Sequence, residues 1–277
     1  MALSDISLTA GMRSNLLQLQ NTSKSIDRTQ ERLSTGKQVN SALDNPTNYF
    51  ASQAALNRAA DFSSRKDGMG EAIQTVKAAD AGITAITALV SAAKGLAQAA
   101  LGTQITADRN AFATQYNTLT SQINSLATDS QYKGTNLLNA DNLSVAFNEN
   151  ASSALTVSGF TASTAGLSMA TVATGGAGTA AWATNANISA DQSLMDTAIT
   201  TLRSQSKSLA GNLNIITTRQ TYTDQMINTL QTGSDNLTLA DMNNEGANML
   251  MLQTRQSLGT TALSMSSQAA QSVLKLF

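Results

Sequence analysis

Residues 195–237 read MDTAITTLRSQSKSLAGNLNIITTRQTYTDQMINTLQTGSDNL, and one stripe of them decides the fold. Met195, Ile199, Leu202, Leu209, Leu213, Ile216, Ile227, Leu230 and Leu237 all fall on that stripe. Spacing of three and four lines apolar groups along one narrow helix face, the seam of a coiled coil. Steps of seven continue the stripe through Met251, Leu258 and Met265. Polar residues share it at Ser206, Gln220, Thr223, Ser234 and Asn244. A long seam with weak positions needs partner helices, and the rest of the chain supplies candidates.

At the N-terminal end, Met12, Leu19, Ile26 and Leu33 sit seven apart, with Leu8 and Leu16 on the same face. The spacing predicts a helix over about residues 5–33 that ends at Ser34-Thr35-Gly36, with Gly36 as its stop. Such a helix pairs naturally with the matching C-terminal seam. After a connector over 37–45, Asn45 and Pro46 resemble an N-cap followed by proline at the first helical position. A second helix is expected over about 46–101. Met69, Val76, Ile83, Val90 and Ala97 keep a seven-residue step, and Ala72, Ala79, Ile86, Ala93 and Ala100 follow each by three. One row is large and the other mostly alanine, so a facing helix can approach closely. Gly68 and Gly70 loosen this helix by roughly 1 kcal/mol each against alanine. Phe112, Tyr116, Leu119, Ile123 and Leu126 predict a third helix over about 106–128, long enough to lie antiparallel on the second.

Residues 131–138, QYKGTNLL, read as a polar turn and a short extended piece. Helical periodicity stops over 139–187. Leu143, Val145 and Phe147 alternate, as do Leu155 and Val157, which predicts short strands joined near Asn148 to Ser153. From Thr161 to Asn187 the chain is rich in Ala, Thr, Ser and Gly, with Gly175, Gly176 and Gly178, and is expected to be an exposed insertion of low packing content. Trp182 either anchors it on the helices or stays partly exposed. Helix resumes near Ser189 and continues to about Val273, with a break expected around Gly233 to Asn236. The fold class is mainly α: long antiparallel helices, coiled-coil-like packing of paired N- and C-terminal helices, and a small β-containing insertion.

Composition narrows the function. Charged residues make up 13% of the 277 residues and aromatics 4%, against about 25% charged in ordinary domains. A polar, barely charged surface favours close subunit packing. The formal net charge of −1 and the absence of a basic patch point away from nucleic acid. With no Cys and no His, disulfides, Cys/His zinc sites and His- or Cys-based catalysis are excluded. No catalytic, cofactor or metal site is expected. The N-terminus lacks the pattern of a standard secretory signal, and no apolar run approaches the ~18 residues of a membrane span. LSTGK at 33–37 lacks the upstream glycine and the following Ser/Thr of a phosphate loop. The GGAG tract at 175–178 has no following lysine, and Asp241 and Glu245 have no accompanying ligand set or base.

Four blocks then stand in order. LSTGKQVNSALDNPTNYFAS at 33–52, including Leu33, Gly36, Asn40, Ser41, Ala42 and Asp44, resembles the N-terminal signature of bacterial flagellins. GLAQAAL at 95–101 and SQYKGTNLL at 130–138 resemble two further flagellin blocks, and QAAQSVLKLF at the end resembles the terminal block. The short insertion is similar to that of compact alphaproteobacterial flagellins. The resemblance implies a structural subunit, not an enzyme, that polymerises into the extracellular flagellar filament for swimming. It implies export by the flagellar type III system and assembly at the distal tip. Implied partners are other copies of the chain and other flagellins, an export chaperone, the filament cap and hook–filament junction proteins, with no membrane or nucleic acid. The alternative is the hook–filament junction protein itself.

On that resemblance the chain divides into 1–42 and 235–277 (two halves of an inner terminal-helix domain), 43–138 and 188–234 (two parts of a helical core domain), and 139–187 (a variable outer insertion). Inner-core packing is expected of Met12, Leu19, Ile26, Leu33, Leu237, Met251, Leu258 and Met265. The helical-core seam is expected to use Met69, Val76, Ile83, Val90, Leu202, Leu209, Ile216, Ile227 and Leu230. An isolated amphipathic helix with polar seam positions is marginal in water, so residues 1–40 and 235–277 are expected to be largely disordered before assembly. Family members sensed by a Toll-like receptor carry Arg, Leu and Glu on one helix face. Leu96 matches here, while Ala92 and Gln115 replace the charges, which implies weak recognition.

Overall fold

A computed structural model describes residues 10–174 and 182–274. Among them it contains helices α1 (Ala10–Thr35), α2 (Pro46–Leu101), α3 (Thr106–Asp129), α4 (Asn185–Thr238) and α5 (Met242–Leu274). Strands β1 (Asn142–Ala146) and β2 (Ala154–Ser158) form a two-stranded antiparallel sheet between α3 and α4. The chain is mainly α with a small β insertion. It divides into two compact units, one within residues 1–57 and 229–277, the other within 58–228.

Local chemistry sets most boundaries. Asn45 Oδ1 accepts the Asn48 N–H at 3.1 Å, satisfying an orphan donor at the start of α2. Pro46 stands where a missing N–H costs nothing. Gly36 takes φ +69°, and its N–H closes onto the Arg32 carbonyl at 2.8 Å, which ends α1. After α3, Lys133 and Gly134 both have positive φ and make a two-residue turn, across which Tyr132 and Thr135 exchange backbone bonds at 3.0 Å. The Asn136 amide then donates to the Ala127 and Thr128 carbonyls at 2.8 and 2.9 Å, capping the end of α3.

The core of the 58–228 unit is built on α2. Met69, Val76, Ile83 and Val90 are buried, and so are Ala72, Ala79, Ile86, Ala93, Ala97 and Ala100. From α4 come Met195, Ala198, Leu202, Leu209 and Ile216, and from α3 Ala113, Tyr116, Ile123 and Ala127. Helices α2 and α4 run antiparallel: Lys94 meets Asp196 at 2.5 Å, Ser206 donates to Asp80 at 2.7 Å, and Lys66 meets Asp224 at 2.6 Å. Ile227 is half-buried. One window of α2 is apolar enough on average for a membrane span. The large residues of its seam line this core, and burial accounts for them.

The hairpin pairs Leu143 with Val157 and Val145 with Leu155, so its apolar residues share the face that joins the core. Phe147 N–H extends the ladder to the Ser153 carbonyl at 2.8 Å. Its tip is tied by Arg58 to the Glu149 carboxylate at 2.7 Å and by Arg65 to the Glu149 carbonyl at 3.1 Å. Arg219 lies 5.2 Å from the centre of the Phe147 ring.

Two expectations need correction. The stretch after Thr161 is not loosely packed where it is described: Ala162, Leu167, Met169, Val172 and Trp182 are buried. Asparagine amides on α3 replace a neighbouring strand. Asn117 donates to the Val172 carbonyl at 2.7 Å and accepts its N–H at 2.9 Å, and Asn124 accepts the Thr164 N–H at 2.8 Å. Trp182 packs 5.1 Å from Tyr116 and donates to Asp191 at 2.7 Å. Buried Arg109 donates to the Thr103 and Ala183 carbonyls at 2.7 and 3.0 Å and to Asn185. The glycine tract at 175–178 lies outside the described residues. Secondly, the C-terminal helix breaks after Thr238, not around Gly233 to Asn236. Glycine in a helix costs only about 1 kcal/mol, whereas Asp241 caps a new helix through Asn243 and Asn244 N–H at 3.0 and 3.2 Å.

Gly82 marks a close approach between α2 and the segment after α3. A Cβ there would run into Ser130 and stand 2.6 Å from Leu138 Cδ1. Overpacking costs about 1–3 kcal/mol, against about 1 kcal/mol gained in helix propensity. Gly82→Ala should therefore lower stability by about 1 kcal/mol, read as a reduced midpoint in urea followed by circular dichroism.

Candidate assembly surface

In the unit within 1–57 and 229–277, α1 and α5 pack together. Arg32 meets Glu245 at 2.9 Å, and a Cβ on Gly259 would lie 3.2 Å from Leu19 Cγ, so the helices are antiparallel. Met12, Asn15, Leu19, Thr22, Ile26, Thr29 and Leu33 follow steps of three and four, and all are buried or half-buried. The seam thus alternates apolar and polar residues. Thr22 returns its hydroxyl to the Gln18 carbonyl at 2.9 Å, so its buried oxygen is satisfied. Helices α1 and α5 are folded on each other within one chain, whereas residues 1–40 and 235–277 are expected from sequence to be largely disordered before assembly. Mutual cover of the two stripes, together with the Arg32–Glu245 pair, is what an isolated helix lacks.

The expected C-terminal stripe is displaced. On α5 the half-buried residues include Leu252, Gly259, Leu263, Ser266 and Ala270, the face on which Gly259 meets Leu19. Met251, Leu258 and Met265 stand one residue earlier, about 100° around the helix, and are 46%, 65% and 60% exposed. Counting in sevens across Leu239–Asp241 treats non-helical residues as helical, and the phase slips. Helix α5 therefore carries two apolar stripes, one against α1 and one uncovered. Leu258 also rims a groove of about 200 Å³ with Asn15, Leu19 and Thr22. Leu16 and Leu17 on α1 are exposed as well. Leu230 and Leu237 are half-buried.

The interruptions of the two chain segments meet. Gln38 and Val39 N–H both donate to the Thr238 carbonyl, at 2.7 and 3.2 Å, and Ala240 N–H donates to the Gly36 carbonyl at 3.0 Å. Ser52 and Ser234 hydroxyls pair at 3.1 Å, and the Asn48 amide reaches the Leu237 carbonyl at 3.4 Å. Asp44 closes the connector: one carboxylate oxygen accepts the Asn40 N–H, the Ser41 N–H and the Ser41 hydroxyl at 3.1, 2.9 and 3.1 Å. Leu43, on this braced loop, is 96% exposed. Hydrogen bonds within the loop and to residues 234–240 thus account for much of the 33–52 block, and Leu43 is a large apolar residue that the loop presents outward.

Elsewhere, Ala92, Leu96 and Gln115 do share one surface, a groove of about 390 Å³ with Thr118 and Leu119. Among the described residues no group of three acidic, His or Cys side chains converges as a metal site would.

Residues 6–142 match the bacterial flagellin N-terminal helical region. Flagellin FljK of Caulobacter vibrioides is 32% identical over 279 residues, covering 100% of both chains. The chain belongs to the bacterial flagellin family. Flagellin FljO of the same organism is 30% identical over 100% of both chains, and a Brucella melitensis flagellin is 27% identical over 94% of both. The crystal structure of Bacillus cereus flagellin aligns with 57% of this chain and 88% of its own, at 17% identity and a TM-score of 0.48. Flagellins are structural subunits of the flagellar filament, so the relevant chemistry of this family member is packing.

Sequence periodicity found the α1 seam and the shared face of Met251, Leu258 and Met265, but not the α5 face that meets α1, and it gave no weight to Arg32 and Glu245. Their spacing at the ends of two facing stripes was the available signal. Glu245 is nearly buried, so removing one partner strands the other charge. Arg32→Ala and Glu245→Ala should each weaken amide protection of α1 and α5, while the double variant loses less than the sum. Hydrogen exchange by mass spectrometry reads this. Asp44 gives a pH test. Hydrogen bonds from Ser41, then Asn40, and the Arg32 charge hold its carboxyl below the ordinary 3.8. A lowered folded pKa contributes stability above the unfolded value, lost as pH falls through the folded one. The Asp44 carboxyl carbon should titrate below 3.8 by NMR, and loop 40–44 should loosen only in that acid range.

Proposed function

We propose that this chain polymerises into the extracellular flagellar filament and that neighbouring copies cover the exposed stripe of α5. The observation that carries this reading is the second apolar stripe itself. Helix α5 is already paired with α1, yet Met251, Leu258 and Met265 remain open along its length. A helix pair has no internal use for large apolar side chains repeated every seven residues on its outer side, and exposed apolar patches mark association sites. A contact between different faces of identical chains does not close into a ring unless its rotation closes, and otherwise grows as a helical polymer.

Family membership supports the remaining steps. The chain leaves the cell through the flagellar type III system, bound beforehand by an export chaperone. It adds under the cap at the distal tip, above the hook–filament junction proteins, and the filament serves swimming. Other flagellins can share the same lattice. The relatives named above are all flagellins, which favours the filament subunit over the junction protein.

Purified chain added to short filament seeds should grow long tubes of uniform diameter in negative-stain electron microscopy. Leu258→Ala should leave the free chain's stability within about 0.5 kcal/mol, since an exposed side chain has little to lose. If assembly buries Leu258, the variant loses on the order of 2–5 kcal/mol per contact there, and tube growth should fall sharply. Unchanged growth of Leu258→Ala would remove the stripe from the assembly surface.

A further inference from the structure

The uncovered stripe carries sulfur. Four of the ten methionines, Met242, Met249, Met251 and Met265, fall within the 33 residues of α5. Met251 and Met265 are two steps of seven apart on the open stripe, with Leu258 between them. They are 46% and 60% exposed, and Met242 is 47% exposed. Met69, Met169 and Met195, by contrast, are buried in the core of the 58–228 unit. Met251 and Met265 thus stand open on the face available for association, whereas Met69, Met169 and Met195 are shielded in a core.

Thioether chemistry gives that separation a consequence. We propose that Met251 and Met265 are oxidation sites for hydroperoxides, and that their conversion to sulfoxides blocks assembly of the free chain. The sulfur lone pair attacks the terminal peroxide oxygen. An S–O bond forms as the O–O bond breaks, and the departing hydroxide or alkoxide takes up a proton as water or alcohol. Sulfur loses two electrons and the peroxide gains them. The product is polar and chiral where the thioether was apolar and adaptable. Its oxygen would need a hydrogen-bond donor once buried between helices, a demand the thioether does not make. This inference rests on the assembly role proposed above for the stripe. It also makes oxidation dependent on state: the sulfurs are open in the free chain and covered in the polymer.

The test uses the full-length chain, hydrogen peroxide and filament seeds. Peptide mapping by mass spectrometry after limited peroxide should find Met242, Met251 and Met265 oxidised roughly tenfold or more faster than Met69 and Met195. Growth on seeds should fall roughly tenfold or more, with the circular dichroism melt of the core retained. Treating the oxidised chain with the two methionine sulfoxide reductases should restore growth. The M251L/M265L chain, judged against its own untreated rate, should grow equally before and after peroxide. Filaments treated after assembly should show slower oxidation at Met251 and Met265 than the free chain. Oxidised wild-type chain that grows normally would overturn the proposal, as would equal oxidation of Met69, or an M251L/M265L chain as sensitive as wild type. Failure of untreated chain to extend seeds would overturn the filament reading, and this proposal with it.

Discussion

The small backbone exchange between residues 36–39 and 238–240 is the constraint on which the terminal unit depends. Gln38 and Val39 share the Thr238 carbonyl, and Ala240 returns to Gly36. Both segments give up helical hydrogen bonds at this level, and the orphaned groups satisfy one another. Gly36 in the left-handed region makes the exit from α1 possible, and Asp241 caps the entry to α5. Everything about the face that α5 shows follows from where that interruption falls. Moving it by one residue would turn the helix by about 100° and exchange the covered stripe for the open one.

The two units solve the same packing problem with different materials. In the 58–228 unit, α2 sets a row of large residues beside a row of alanines, and every one of these positions is buried from Met69 to Ala100. Packing there is close, as the approach at Gly82 indicates. In the terminal unit, α1 alternates apolar residues with Asn15, Thr22 and Thr29. Polar seam positions lower the stability of a pair but specify its register. One unit is therefore a filled core, while the other is a thin pair with apolar surface left over.

Local pattern made several parts of this legible from residues alone. The Asn45-Pro46 start of α2, the Gly36 stop of α1 and the alternating strands around Leu143 and Leu155 are each written within a few residues. So is the seven-residue seam of α2, because a continuous helix preserves phase over its whole length. The outer stretch after Thr161 was less readable. Its hold on α3 comes from Asn117 and Asn124, whose amides bond to backbone that any sequence would carry. Trp182 was ambiguous for a related reason: its partner Asp191 and its neighbour Tyr116 lie in different segments.

The sequence by itself determined the helical class, the seams within each unbroken helix and, through the 33–52 block and its companions, the flagellin resemblance. These depend on spacing along the chain, which folding does not alter. Only the tertiary structure decided which stripe of α5 faces α1. Periodicity reports that Met251, Leu258 and Met265 share a face, but not what covers it. That answer depends on three residues of non-helical backbone and on the hydrogen bonds they make to a segment two hundred residues away in sequence, roughly the separation of Gly36 from Ala240.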